Sequence, residues 1–110
     1  MSDLHLDLIF SALADPTRRA ILARLKLGEA TVNQLVAPSR LRQPTISKHL
    51  KVLEGAGLVS RGQSAQSRPV RLNPNALRGA AQWLGDYAQF WAESLDQLEV
   101  LVETMKKETE

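Results

Sequence analysis

Apolar residues return every three or four positions along most of the chain, the spacing that places them on one face of a helix. Leu6, Ile9, Phe10 and Leu13 predict a first helix over residues 4–13. The segment "DPTRRAILARL" predicts a second. Asp15 is a good N-cap, and Pro16 suits the first helical position, where its missing N–H costs nothing. Ile21, Leu22 and Leu25 form the inward stripe of this helix and Gly28 ends it. Thr31 caps a short third helix with Val32, Leu35 and Val36 inward, closed by Pro38. After the tight connection "RLRQ", a fourth helix runs from about Gln43 to Gly55, with Gly57 just beyond its end. Ile46, Leu50 and Leu53 cluster on one side of it. Pro44, Ser47, Lys48 and Lys51 lie opposite, with Thr45 on a flank.

The period then changes. "LVSRGQ" and "SRPVRL" read as two short strands around a Ser64-Ala65-Gln66 turn. Pro69 cannot donate to a ladder and marks an edge strand. From Pro74 to about Lys106 a single long helix is predicted. Leu77, Ala81, Leu84, Ala88, Trp91, Leu95, Leu98, Val102 and Met105 keep the three-four spacing throughout. A helix of that length on so small a domain cannot bury its stripe against its own chain, so it wants a partner helix. The expected fold class is mainly α with a small β-hairpin. A helix-turn-helix whose second helix is polar, short-armed and cationic outward is the usual shape for the DNA major groove.

Composition narrows the options. The 110 residues suit one domain over 1–110, and 44% hydrophobic with 24% charged residues is the balance of a folded soluble protein. The absence of cysteine excludes disulfides, thiolate metal sites and thiol redox sensing. The apolar N-terminal stretch has acids and no Lys or Arg ahead of it, the wrong flank for a secretory signal. No apolar run is long enough for a bilayer, so a cytoplasmic location is expected. The formal charge of +2 conceals an asymmetry: residues 16–71 carry +9, against −3 before them and −4 after them. A basic middle between acidic ends suggests a polyanion partner for the middle. Arg61, Arg68 and Arg71 spread that charge over the hairpin, suited to phosphates or a minor groove.

The motifs "ALADPTRRAILARL" and "QPTISKHLKVLEGAGLV", followed by a basic hairpin, resemble the ArsR/SmtB family of winged-helix repressors. The resemblance covers about residues 8–73. It implies a winged helix-turn-helix with its recognition helix at about 43–55, its wing at about 58–72 and a C-terminal dimerisation helix at about 74–106. It also implies a homodimer that binds a double-stranded operator and represses transcription. The first and last helices would form the interface, with Leu6, Ile9, Phe10, Leu84, Tyr87, Trp91, Leu95 and Leu98 as its residues. Carried over, the recognition helix presents Gln43, Thr45, Ser47, Lys48 and His49, with Lys51 near the backbone. Gln can pair with adenine, Thr and Ser reach several base edges, and the lysines suit phosphate or guanine. For His49 two readings stand, a half-buried structural histidine or a DNA contact. Arg18 and Arg19 likewise read as phosphate anchors or as surface salt bridges. Arg42 stands where the family commonly has a capping Ser, trading a cap for a phosphate contact.

Regulation is where the chain departs from the family. Metal-responsive relatives use cysteines before the recognition helix or Asp, His and Glu on the C-terminal helix. Here the third helix has neither Cys nor His, and His5 and His49 lie in separate elements. Asp86, Glu93 and Asp96 read as a solvated helix face, so neither a metal response nor a cofactor is expected. Trp83, Tyr87, Phe90 and Trp91, with Phe10, read either as a dimer core or as a pocket for a small apolar effector at the dimer seam. Two function classes remain: a sequence-specific repressor, or a non-specific architectural DNA binder. An enzyme is not expected, since no phosphate loop, nucleophile elbow or His-acid pair is present.

Overall fold

The computed structural model describes residues 3–62 and 68–109. The elements are α1 (Asp3–Leu13), α2 (Pro16–Leu25), α3 (Val32–Val36), α4 (Gln43–Gly55), β1 (Val59–Arg61), β2 (Val70–Leu72), a 3₁₀ turn (Pro74–Leu77), α5 (Arg78–Gly85) and α6 (Ala88–Thr109). The architecture is mainly α with one antiparallel hairpin, as the periodicity predicts. The chain divides into two compact units, Met1–Ala80 and Ala81–Glu110.

In the first unit α1 and α2 pack on each other and on α4, and α3 packs on α4. Their buried faces meet in one core. Ile9 and Ala12 come from α1, Ile21, Leu22 and Leu25 from α2, and Leu35 from α3. Ile46, Leu50 and Leu53 come from α4, and Leu58, Val59 and Val70 from the hairpin and its approach. Full burial of such a side chain contributes about 1.5–3 kcal/mol, so the three α4 residues fix that helix firmly.

The helix ends follow local chemistry. Asp15 Oδ1 accepts from the amides of Thr17 at 2.8 Å and Arg18 at 3.1 Å, capping α2. Thr31 and Gln34 form a reciprocal capping box at the start of α3. Helix α2 stops at Leu25, three residues before the expected Gly28, which adopts φ 140° in the turn that follows. The end of α4 is a Schellman motif: Leu58 N–H donates to the Leu53 carbonyl at 2.9 Å and Gly57 N–H to that of Glu54 at 3.0 Å. Gly57, at φ 76°, is the terminating glycine, whereas Gly55 is still helical.

Strand register in the hairpin is Val59↔Leu72, Ser60↔Arg71 and Arg61↔Val70. Val70 also exchanges two hydrogen bonds with Ala30, 2.7 Å and 3.0 Å long. The strand with Pro69 at its start is therefore flanked on both sides at Val70, not an edge strand there. Proline is tolerated because it lies at the last rung, where its carbonyl accepts from Gly62 N–H at 2.7 Å. The Ser64-Ala65-Gln66 turn lies outside the described residues.

The single helix expected over 74–106 is interrupted. A 3₁₀ turn and α5 come first, and Asp86 and Tyr87 separate α5 from α6. Gly85 has poor helix propensity, and the ladder tightens there from Asp86 N–H→Gln82 carbonyl to Tyr87 N–H→Leu84 carbonyl. An unbroken apolar period hid this break. No helix among the described residues is long and apolar enough to cross a membrane.

Candidate nucleic-acid interface

Because its inward face is committed to the core, α4 must present the remaining side chains outward. Gln43, Thr45, Lys48 and Lys51 are exposed, and Ser47 is half-buried. Arg42 occupies the N-cap and is exposed, and its side chain makes no capping hydrogen bond. The α3–α4 connection is fixed by Ser39, whose Oγ donates to the Val36 carbonyl at 2.8 Å and accepts from Leu41 N–H at 3.1 Å. Arg40, in this turn, is exposed at φ 62° and is a cation that periodicity does not reveal. Its signal in the sequence is its place in an interval from Ala30 to Leu53 that holds four Lys or Arg and no acid.

The hairpin arginines separate. Arg68 and Arg71 are exposed. Arg61 turns inward: its side chain is 17% exposed, and its Nε lies 3.8 Å from Glu54 Oε2. That Nε is buried without a hydrogen-bond partner. The side of the wing nearest α4 is thus occupied by a protein ion pair. Asn73 clamps the same region, accepting from Ser60 Oγ at 2.9 Å and donating from Nδ2 to the Gly57 carbonyl at 2.9 Å.

Arg18 and Arg19 have partners other than a carboxylate. Arg18 donates from Nε to the Ala12 carbonyl at 2.7 Å and from Nη2 to the Ser11 carbonyl at 3.1 Å. Arg19 Nη1 donates to the Leu13 carbonyl at 2.8 Å. Both reach carbonyls at the C-terminal end of α1, where the helix dipole favours a cation. His49, with an 18% exposed side chain, turns its Nδ1 towards Arg18 Nη1 at 3.3 Å and Asp15 Oδ1 at 4.0 Å. The Arg18 amide holds the Asp15 carboxyl below the usual carboxylate range against opposing burial, aided by His49, the Thr17 amide and the Arg18 charge.

The expected dimer residues also divide. Ile9 is 0% exposed inside the first unit's own core and has no surface left for a partner. Leu6 and Phe10 are half-buried against that core. In the second unit Leu84 is half-buried, whereas Tyr87, Trp91, Leu95 and Leu98 are exposed. Trp83 and Tyr87 meet at a tilt with ring centroids 5.1 Å apart, and Tyr87 and Phe90 do so at 6.4 Å. An apolar cavity of about 240 Å³ is lined by α2, α3 and turn residues including Ile21, Leu35 and Pro38, with none of the aromatic residues. Among the described residues no three His, Cys, Asp or Glu groups converge as metal ligands.

Known proteins carry the same organisation. The profile of bacterial regulatory proteins of the arsR family matches residues 15–61. The HTH-type transcriptional regulator Rv2034 of Mycobacterium tuberculosis is 35% identical over 103 residues, 94% of each chain. The transcriptional repressor SdpR of Bacillus subtilis is 34% identical over 76 residues, 69% of this chain and 84% of that protein. The crystal structure of the ArsR family transcriptional regulator RHA00566 superposes with a TM-score of 0.73 at 35% identity, covering 80% of this chain and 97% of that one. A solution structure from Mycobacterium bovis, Mb0332 residues 1–100, is a homodimeric winged helix-turn-helix DNA-binding domain. It superposes with a TM-score of 0.64 at 23% identity over 81% of this chain and 91% of that one. The named relatives are transcriptional regulators, not enzymes.

Proposed function

This chain belongs to the arsR family of bacterial regulatory proteins, and on that premise we propose that it is a homodimeric, sequence-specific repressor of an inverted-repeat operator that does not respond to metal. The observation that carries the reading is the outward face of α4, where Gln43, Thr45, Lys48 and Lys51 are exposed within an acid-free interval. Gln43, Thr45 and Ser47 read base edges. Lys48, Lys51, Arg42, Arg68 and Arg71 neutralise phosphates. Arg18, Arg19, Arg61 and His49 are engaged within the protein and stand outside this contact set. Its place of action is the cytoplasm, with the DNA.

Dimerisation is supported by Trp91, Leu95, Leu98, Val102 and Met105, exposed on α6 at three-four spacing. Mb0332 offers a homodimeric precedent. A metal response would need convergent ligands, and a chain without cysteine whose two histidines sit in separate elements does not provide the family's sets. The exposed aromatics supply a dimer core. A small apolar effector seated among them is the alternative, which tryptophan fluorescence titrations would separate.

Selection of bound duplexes from a random pool tests the main reading. The expected product is an inverted repeat with half-sites about one helical turn apart, bound more weakly as salt rises. Equal affinity for selected and random DNA would replace it with the architectural reading, which the exposed Arg68 and Arg71 favour.

A further inference from the structure

The arginines of the first unit fall into two sets. Arg18, Arg19 and Arg24 donate to backbone carbonyls, and Arg61 pairs with Glu54. Arg40, Arg42, Arg68, Arg71 and Arg78 are exposed and make no side-chain hydrogen bond or ion pair with the described residues.

Within the second set two residues have a positive φ, Arg68 at 29° and Arg40 at 62°, and of the two Arg40 is the one beside α4 in the acid-free interval. Its φ of 62° lies in the left-handed region, where the Cβ of an L-residue crowds the following carbonyl and glycine, followed by asparagine, is best tolerated. The turn around it is held by the two Ser39 hydroxyl hydrogen bonds and by Ser39 N–H donating to the Val36 carbonyl at 3.0 Å. The chain therefore accepts a strained conformation at a long cationic residue whose side chain gives the fold nothing in return. Such strain is stored where a ligand uses the group. Here the group stands two residues before the N-cap of α4, in the interval free of acids.

We propose that Arg40 is a phosphate-contacting residue of the DNA interface, aimed by the strained turn at the strand backbone beside the groove that α4 enters. The inference rests on the DNA-binding reading above. A guanidinium in that position can hold two phosphate oxygens at once and keeps its charge at every working pH. It adds affinity and fixes the register of the recognition helix while leaving base choice to Gln43, Thr45 and Ser47.

The test uses Arg40→Gly, Arg40→Asn and Arg40→Lys in the full chain, with a duplex that the parent protein selects from a random pool. Gly and Asn both tolerate the left-handed turn, so these variants should unfold at the parent temperature or up to about 5 °C above it. Their affinity should fall roughly tenfold at about 0.1 M salt. The slope of log affinity against log salt should become shallower by about 0.9 for each arginine removed, twice that in a dimer. Arg40→Lys should retain the parental slope. Parental affinity and slope in both uncharged variants would overturn the proposal, as would an Arg40→Lys variant as weak as they are, or unfolding of both below the parent temperature. A parent that selects no duplex sinks the DNA-binding reading and this proposal together. A parent that binds while the variants match it sinks the proposal alone.

Discussion

Nη1 of Arg18 lies 3.3 Å from Nδ1 of His49, joining α2 to α4. A guanidinium can only donate, so the contact is a hydrogen bond in the tautomer that leaves Nδ1 unprotonated. The same guanidinium holds the Ala12 and Ser11 carbonyls. One side chain thus ties α1, α2 and α4 together at the corner where the Asp15 cap also sits.

Arg18→Ala should therefore lower folding stability by about 1.5–3 kcal/mol, the range for hydrogen bonds from a charged group. Arg19→Ala removes one exposed bond and should cost under about 1 kcal/mol. Urea unfolding of both variants checks this, and equal losses would show that the three-helix tie contributes nothing.

Asp15 makes a pH prediction. Its carboxyl pKa is lowered in the folded chain, so it contributes stability that is present above the unfolded carboxylate value and lost as pH falls through the folded one. Asp15→Asn keeps a capping acceptor but cannot titrate. On acidification through the carboxylate range the parent should lose more stability than the variant. Parallel pH–stability curves would contradict the assignment.

The two glycines of "GAG" should respond with opposite signs. A Cβ at Gly57 would meet His5 Cε1 at 3.7 Å, an ordinary contact, so Gly57→Ala pays for backbone strain, about 1–2 kcal/mol. Gly55 is helical with open space around it, so Gly55→Ala should gain up to about 1 kcal/mol. Thermal unfolding separates the two.

Association and folding should come apart in a second pair. Leu98→Glu, on the exposed face of α6, should shift sedimentation towards monomer. Ile9→Ala should leave association intact while costing about 2–5 kcal/mol of stability. An Ile9 variant that dissociates without losing stability would return that residue to the interface.

Lys48 and Ser47 test the division between charge and base reading. Lys48→Ala should make the salt slope shallower by about 0.9 per copy. Ser47→Ala should leave the slope unchanged and broaden the set of selected sequences.

Sequence reading succeeded wherever one residue decides one local geometry. Asp15, Thr31 and the Ile46–Leu50–Leu53 stripe act through contacts within a few positions, and each appears as expected. It failed where distant segments compete for the same group. Ile9 has the spacing of an interface residue, yet the core formed with α2 and α4 claims it completely. Arg18 reads as a surface charge until the C-terminal carbonyls of α1 are brought beside it. Pro69 reads as an edge because Ala30, far back in the chain, gives no sign that it will pair with Val70. The break after Gly85 was concealed for another reason: apolar periodicity measures which face is oily, and a two-residue interruption hardly disturbs it.

The Ala30–Val70 pair also limits the chain's tolerance for added length. Two hydrogen bonds lock the base of the wing to the loop that leads into α3. One extra residue near Val70 would reverse which side chains face inward, exposing Val70 and breaking that lock at a stroke. The Gly62–Pro69 hydrogen bond adds a further rung to the same root. Lineages of this protein should therefore keep the root of the wing to the residue.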